Sequence, residues 1–291
     1  MNITDLRFWE KAWNEAREAS FLMNTQKADP ERWFEFYNEI SDIYQSLWDS
    51  RNFADTVVKI FLSQGLIRAG DKVLDAGCGP GTLAIPLAAQ GMQVTGLDYS
   101  PGMLETLRKE AEALGLKPVR TVCESFEAFH PDTLYDLVCA AFFPPSLEPE
   151  GLRRLESWSQ CRCAVMVGAG EKQRPLHDAL WRAVMNTEMN KEPYSGKFHL
   201  ICVTGWLMAG GRMPCINYIS QRYKISRPFE EMLRFYKAYF AIFGRRDKET
   251  EKVICDILER YIVAGCREQD AKNYVESEED IHTAVIVWRT I

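Results

Sequence analysis

One short stretch of the chain brings together residues whose types and spacing could do chemistry. From Val73 it reads Val-Leu-Asp-Ala-Gly-Cys-Gly-Pro-Gly-Thr-Leu, an apolar run into Asp75, then Gly77, Gly79 and Gly81, then a helical pattern. Glycines at a strand-to-helix turn let the backbone approach a ligand closely and take conformations that a Cβ forbids. The turn therefore predicts a bound small molecule. A second apolar run ends in Asp98, 21 residues beyond Gly77, which sets a carboxylate beside the turn where it can accept both hydroxyls of a ribose. An adenosine is the expected ligand part. The spacing Gly77-x-Gly79-x-Gly81 is not the G-x-G-x-x-G of a dinucleotide turn, and an acid at Asp75 would repel a pyrophosphate while attracting an ammonium group, such as that of a methionine moiety. No G-x-x-x-x-G-K-[ST] stretch is present, which disfavours a triphosphate site.

The elements that must hold these residues follow from periodicity. From Asp71 onward short apolar runs alternate with helical patterns, which predicts βαβ units and a parallel sheet. Strands are expected at 72–76, 93–98, 119–123, 136–141 and 164–167, with helices at 82–90, ended by Gly91, and at 101–114, capped by Ser100 and stopped by Gly115. Beyond Glu171, helices are expected at 175–189, 198–209, 229–243 and 247–263, and strands at 215–225 and 282–288. The first seventy residues read as three helices. One starts at Asp5 or Thr4, and one starts at Asp29-Pro30 with Trp33, Tyr37, Ile40, Tyr44 and Trp48 in a single stripe. The third spans 52–63 and is closed by Gly65.

Taken together, DAGCGPG at 75–81 and LDYSPGML at 97–104 resemble the class I S-adenosylmethionine-dependent methyltransferases. The resemblance implies an α/β, Rossmann-like seven-stranded sheet ordered 3-2-1-4-5-7-6 with strand 7 antiparallel. It also implies three parts: a helical N-terminal cap (1–66), a cofactor-binding core (67–170), and C-terminal helices with the last two strands (171–291). S-adenosylmethionine is the implied cofactor. Asp75 and the backbone at Gly77, with Cys78, Gly79 and Gly81 of the same turn, would hold its amino-acid end. Asp98 would hold the ribose, Tyr99 would pack on the adenine with Met103 nearby, and Glu124 would meet the adenine amino group, with Ser125 and Phe126 beside it. Ala141, Phe142 and Phe143 would lie near the reactive methyl, and the helices ahead of the first strand would cap the acceptor pocket. Phe143-Pro-Pro-Ser only echoes the Asn/Asp-Pro-Pro-aromatic motif of methyltransferases acting on planar nitrogens, since the Asn or Asp is missing, so that chemistry is not assigned. A small-molecule acceptor is expected, and no residue is marked as a catalytic base. Two alternatives are an inert methyltransferase-like subunit supporting a partner protein and a nucleotide-dependent oxidoreductase.

Composition narrows the classes further. The 291 residues are 46% hydrophobic and 26% charged, which excludes disorder as the main state. Lys and Arg number 35 against 41 Asp and Glu, a net charge of −6, so no strong basic field exists for nucleic acid. The N-terminus lacks the blocks of a signal peptide, and the apolar run 200–210 is about half the ~20 residues of a membrane span. Neither secretion nor membrane insertion is expected. Nine cysteines, an odd number scattered from Cys78 to Cys266, fit a reducing cytoplasm. Cys161-x-Cys163 has no second pair at zinc spacing, so no metal is expected. His130, His177, His199 and His282 are scattered, with His199 the best placed as a base. The sequence says nothing about oligomeric state.

Overall fold

The computed structural model describes residues 2–117, 119–188, 195–263 and 273–290. Four helices precede the sheet: α1 (Leu6–Ala19), α2 (Phe21–Ala28), α3 (Pro30–Glu39) and α4 (Ser50–Ser63). Then come β1 (Lys72–Ala76), α5 (Ala84–Ala89), β2 (Gln93–Asp98), α6 (Pro101–Ala113), β3 (Arg120–Cys123), β4 (Tyr135–Ala141), α7 (Pro149–Ser157) and β5 (Ser159–Gly168), with the five strands and α5 and α6 near their expected places and α7 not anticipated. Beyond them come α8 (Pro175–Met185), α9 (Gly196–Ala209), β6 (Cys215–Pro228), α10 (Phe229–Ala241), α11 (Lys248–Glu259), β7 (Ile262–Val263) and β8 (Tyr274–Arg289). The sheet runs β3-β2-β1-β4-β5-β8-β6, with β7 paired to β8. The first five strands are parallel, and β8 lies antiparallel to both β5 and β6. The chain is thus an α/β protein with the expected Rossmann-like topology. Among the described residues it has eight strands rather than seven, because the two-residue β7 comes before the last one.

Alternation along the strands sends successive side chains to opposite faces, and each face has its own core. Val73, Cys139, Ala164 and Met166 pack under α4, α5 and α6. Leu74, Val138, Val165 and Val167 pack under α1, α7 and α9, together with Trp13, Trp158 and Trp206. Trp13 is 1% exposed, so α1 belongs to this second core rather than to a detachable cap. Gly205 on α9 shows how tightly α1 sits: a Cβ there would fall 2.2 Å from a ring carbon of Trp9. Gly205→Ala should therefore destabilise the protein by about 1–3 kcal/mol through overpacking. A thermal melt unchanged from wild type would contradict that packing.

Several elements depart from expectation, beginning with α2, a short helix of its own between the first two expected. The aromatic stripe from Trp33 to Trp48 is not one helix: α3 ends at Glu39, and Tyr44–Leu47 form a 3-10 turn. Polar anchoring explains the break, because Asn38 Oδ1 accepts hydrogen bonds from Ser100 Oγ (2.8 Å) and Gly102 N (3.0 Å) at the start of α6. β5 begins at Ser159, several residues early, with exposed Gln160 ahead of the buried run from Cys163. The expected helix to 263 stops at Glu259, and the one to Met189 stops at Met185, where Asn186 is left-handed (φ 55°). Met189 and Cys266 lie outside the described residues.

The largest departure is the length of β6 and β8. β8 pairs with β5 only from Thr283, opposite Gly168, to Arg289, yet pairs with β6 along its whole length to Tyr274 opposite Pro228. The two strands therefore run past the carboxyl edge of the parallel sheet as a free-standing ribbon. The expected strand at 282–288 is only the second half of β8, which begins at Tyr274 and takes in the acidic run 276–280. In the fold those charges face basic neighbours across the ribbon: Glu276 pairs with Lys224 at 2.5 Å and Asp280 with Arg222 at 3.1 Å, while Val275, Ser277 and Glu279 point inward and are buried. Leu176, Trp181, Met232, Tyr236, Phe240 and Ile254 build a third core against the ribbon. Phe36, Ile40 and Ile43 join Ala238 and Ile242 in a fourth, tying α3 to α10.

Among the described residues no helix is long and apolar enough to cross a membrane. The eight described cysteines are free, and no group of three or more His, Cys, Asp or Glu among those residues could hold a metal.

Candidate functional site

At the carboxyl ends of β1, β2 and β4, under α2, α3 and the 44–47 turn, lies a cavity of about 470 Å³, a size typical of small-molecule sites. Its floor is the glycine turn. Gly77 takes φ +70° and Gly79 φ +52°, and the N–H groups of Gly77 and Cys78 both donate to the carbonyl of Leu97 (2.8 and 3.0 Å). A Cβ at Gly77 would fall 2.5 Å from the Phe143 ring. Only glycine supplies both that dihedral and that clearance.

Asp98 closes the turn from the second strand. Its Oδ2 accepts from Gly79 N and its Oδ1 from Ser100 N, each at 2.9 Å. Burial raises its pKa, and those backbone N–H groups pull it back. Asp75, at 2% exposure, is more isolated. Its Oδ2 has no hydrogen-bond partner among the described residues. Burial pushes its pKa up to about 7, with the N–H of Ala84 opposing and the charge of Asp98 adding to the rise. A buried carboxylate left unpaired is a standing cost unless a cation joins it. The ammonium of a methionine moiety is a group of the right charge, so the residues present fit S-adenosylmethionine.

The roof is aromatic. Trp33, Tyr37, Tyr44 and Trp48 line the cavity. Tyr99 meets Phe34 and Tyr37 with ring centroids at 5.6 and 6.4 Å. Where β4 ends, Phe142 adopts φ +50°, a strained value for a bulky residue, and its ring packs against Phe53 and Trp48. His199 also faces the cavity. Burial and then the charge of Lys172 pull its pKa down to about 4, so it is a neutral and weak base near neutrality.

Of the twelve residues expected to hold cofactor, the structure brings eleven to this one cavity: Asp75, Gly77, Cys78, Gly79, Asp98, Tyr99, Met103, Glu124, Ser125, Phe126 and Ala141. Gly81 is absent from its lining. It has φ +94°, and a Cβ there would meet Ile85 and Leu107 at 2.9 Å, so its need is for helix packing behind the turn. Phe142 and Phe143 line the cavity as well. Two anchors were missed by sequence reasoning. Asn38 fixes α3 to the start of α6, and Gln45 donates from Nε2 to the carbonyl of Pro80 at 2.8 Å. Isolated polar residues on an aromatic helix carry no periodic signal, so only the fold reveals that they bolt the roof to the glycine turn.

The comparisons agree with this geometry. Residues 73–158 match the family model described as a methyltransferase domain. An uncharacterised protein of Haemophilus influenzae is 47% identical over 60 residues, 21% of this chain and 22% of that one. A phosphatidylethanolamine N-methyltransferase of Cereibacter sphaeroides is 36% identical over 96 residues, 32% of this chain and 46% of that one. The chain thus spans under half the length of these relatives. Among solved structures, a magnesium protoporphyrin IX methyltransferase from Synechocystis PCC 6803 with bound SAH overlaps 88% of this chain and 92% of that one, at a TM-score of 0.47 and 16% identity. What these findings show is confined to one segment: residues 73–158, which hold the glycine turn and Asp98, are similar to a methyltransferase domain.

Proposed function

We propose that this protein transfers the methyl group of S-adenosylmethionine to a small-molecule acceptor held beneath the aromatic roof. The observation that carries the proposal is the pair of carboxylates at one end of a single cavity. Asp75 Oδ2 has no partner among the described residues and is ready for an ammonium, and Asp98 keeps lone pairs for ribose hydroxyls while fixing Gly79 and Ser100. On this reading residues 67–170 supply the cofactor half, while 1–66 and 171–291 close the acceptor half. Tyr99, Met103 and Phe126 offer apolar surface to the adenine, Glu124 and Ser125 stand at its polar edge, and Ala141 with Phe142 border the methyl.

The bound cofactor supplies a sulfonium-activated methyl group. The chain's own task is to place the acceptor in line and exclude water, which the roof does. No side chain is assigned as a base, and none is needed if the acceptor's nucleophile arrives unprotonated.

Titration calorimetry with S-adenosylhomocysteine and with NADH tests the class. Binding of the first and not the second is expected, and the reverse would point to an oxidoreductase. A binder that yields no methylated product from a metabolite extract, while copurifying with a partner protein, would instead be the inert subunit.

Asp75 also sets a pH dependence. Its folded-state pKa of about 7 lies above the ordinary aspartate value near 3.9. Ionisation therefore destabilises the empty protein progressively as pH rises from about 4 to 7. The ammonium pairs only with the ionised form, so cofactor affinity should rise about thirtyfold between pH 5.5 and 8, with proton release on binding below pH 7. Asp75→Asn should bind weakly and flatten the profile. Calorimetry in buffers of different ionisation enthalpy, showing no proton release for the wild type, would refute the pairing.

A further inference from the structure

Beside the cavity, against the ring of Phe142, stands a positive charge that the reaction described above does not use. The segment after β5 is pinned to the ribbon by hydrogen bonds of Ala169 N to His282 O (2.8 Å), and of Gln173 and Asp280 to each other's backbone (2.9 and 3.0 Å). It presents Lys172 and Arg174. Arg174 Nε meets Glu279 at 3.2 Å, and Tyr223 donates its hydroxyl to the same carboxylate oxygen at 3.0 Å. Glu279, 3% exposed, is thereby already partnered. Lys172 has no ion pair among the described residues. Its ammonium lies 5.9 Å from the centroid of the Phe142 ring, which borders the cavity. Its charge also depresses the pKa of His199, another cavity residue, and that of His177.

These groups leave one cation in excess on a solvent-exposed side chain beside the cavity. The surrounding protein and then Arg174 pull the pKa of Lys172 down to about 8, with Glu279 opposing. Two cations that share a single carboxylate favour the arrival of an anion. The far end of the same cavity carries the opposite sign, in Asp75 and Asp98. Tyr44, which lines the cavity, feels the charges of both Asp98 and Arg174.

We propose that the acceptor carries an anionic group, a carboxylate, and that Lys172, backed by Arg174, is the residue that recognises it. The inference rests on the methyltransferase reading of the cavity. The charge polarity then orients both partners, with the cationic cofactor toward the aspartates and the anionic end of the acceptor toward Lys172. The acceptor's nucleophile is left between them, beside Phe142.

The test uses a library of small aromatic fragments in matched pairs, each carboxylate with its carboxamide. Binding is read by ligand-observed NMR on the full-length protein saturated with S-adenosylhomocysteine. Carboxylates are expected to bind about tenfold or more tighter than their amides. Lys172→Gln should abolish the preference and Lys172→Arg should keep it, both with the wild-type melting temperature and S-adenosylhomocysteine affinity. Equal binding of acids and amides, absence of any carboxylate binder, or a preference that survives Lys172→Gln would each overturn the proposal. Failure of S-adenosylhomocysteine to bind would instead sink the methyltransferase reading, and the fragment comparison on the cofactor-free protein would still decide the anion site.

Discussion

Asp98→Ala is expected to weaken S-adenosylmethionine binding about ten- to a hundredfold, the loss of roughly 1.5–3 kcal/mol typical of hydrogen bonds to a charged group. Two effects combine. The ribose loses its acceptor, and the glycine turn loses its clamp, because the same carboxylate holds Gly79 N and Ser100 N at 2.9 Å. The second effect predicts that a smaller part of the loss is shared by any ligand that relies on the turn alone, such as free methionine. Calorimetry on wild type and variant, alongside thermal melts to confirm the fold, checks both. Unchanged affinity would remove Asp98 from the site.

Tyr44→Ala is expected to act on the other half. Its ring packs against Tyr37 with centroids 6.3 Å apart and lines the cavity under the roof. Removing it opens the acceptor side to water and loosens alignment of the reacting atoms, which can lower turnover about a hundredfold. The cofactor contacts come from the strand ends, so its affinity should change by less than about threefold. Tyr44→Phe, which keeps the ring, should retain most of the rate. With an acceptor identified from a metabolite extract, initial rates of S-adenosylhomocysteine formation measure the effect. A parallel fall in melting temperature, cofactor affinity and rate would show that Tyr44 is core packing and not a roof residue. Deleting 1–28 cannot make this distinction, since Trp13 is built into the central core.

The floor of the site was legible because its demands are local. A left-handed turn calls for Gly77 and Gly79, and a carboxylate at a strand end calls for Asp98, so residue type and spacing suffice. The same holds for β1, β2, β4 and β5, whose apolar runs are largely buried on both faces. The roof was legible only as an aromatic excess. Its shape depends on partners distant in sequence, such as Asn38 with Ser100 and Arg234 with Asp42 (2.8 Å), and nothing in a stretch of 20 residues records them. The ribbon was hidden for a related reason. The acidic run 276–280 is held as strand by partners on β6, with Arg222 directly opposite Asp280 and Lys224 reaching diagonally to Glu276, and both partners are distant in sequence.

That ribbon has a geometric consequence. Past Thr283 it rises at ~3.4 Å per residue, so the stretch from His282 to Tyr274 spans roughly 30 Å and works as a strut between the sheet and the α8, α10 and α11 layer it carries. Through α10, whose Ala238 shares a core with Phe36 of α3 and with Ile40 at its end, the strut bears on the helix that carries part of the aromatic roof. Because side chains alternate, lengthening both strands by two residues would displace that layer with Val275, Ser277 and Glu279 still turned inward, whereas a one-residue change would turn the charged face onto the core. The height of the layer is thus adjustable only in steps of two residues, with no change to the glycine turn.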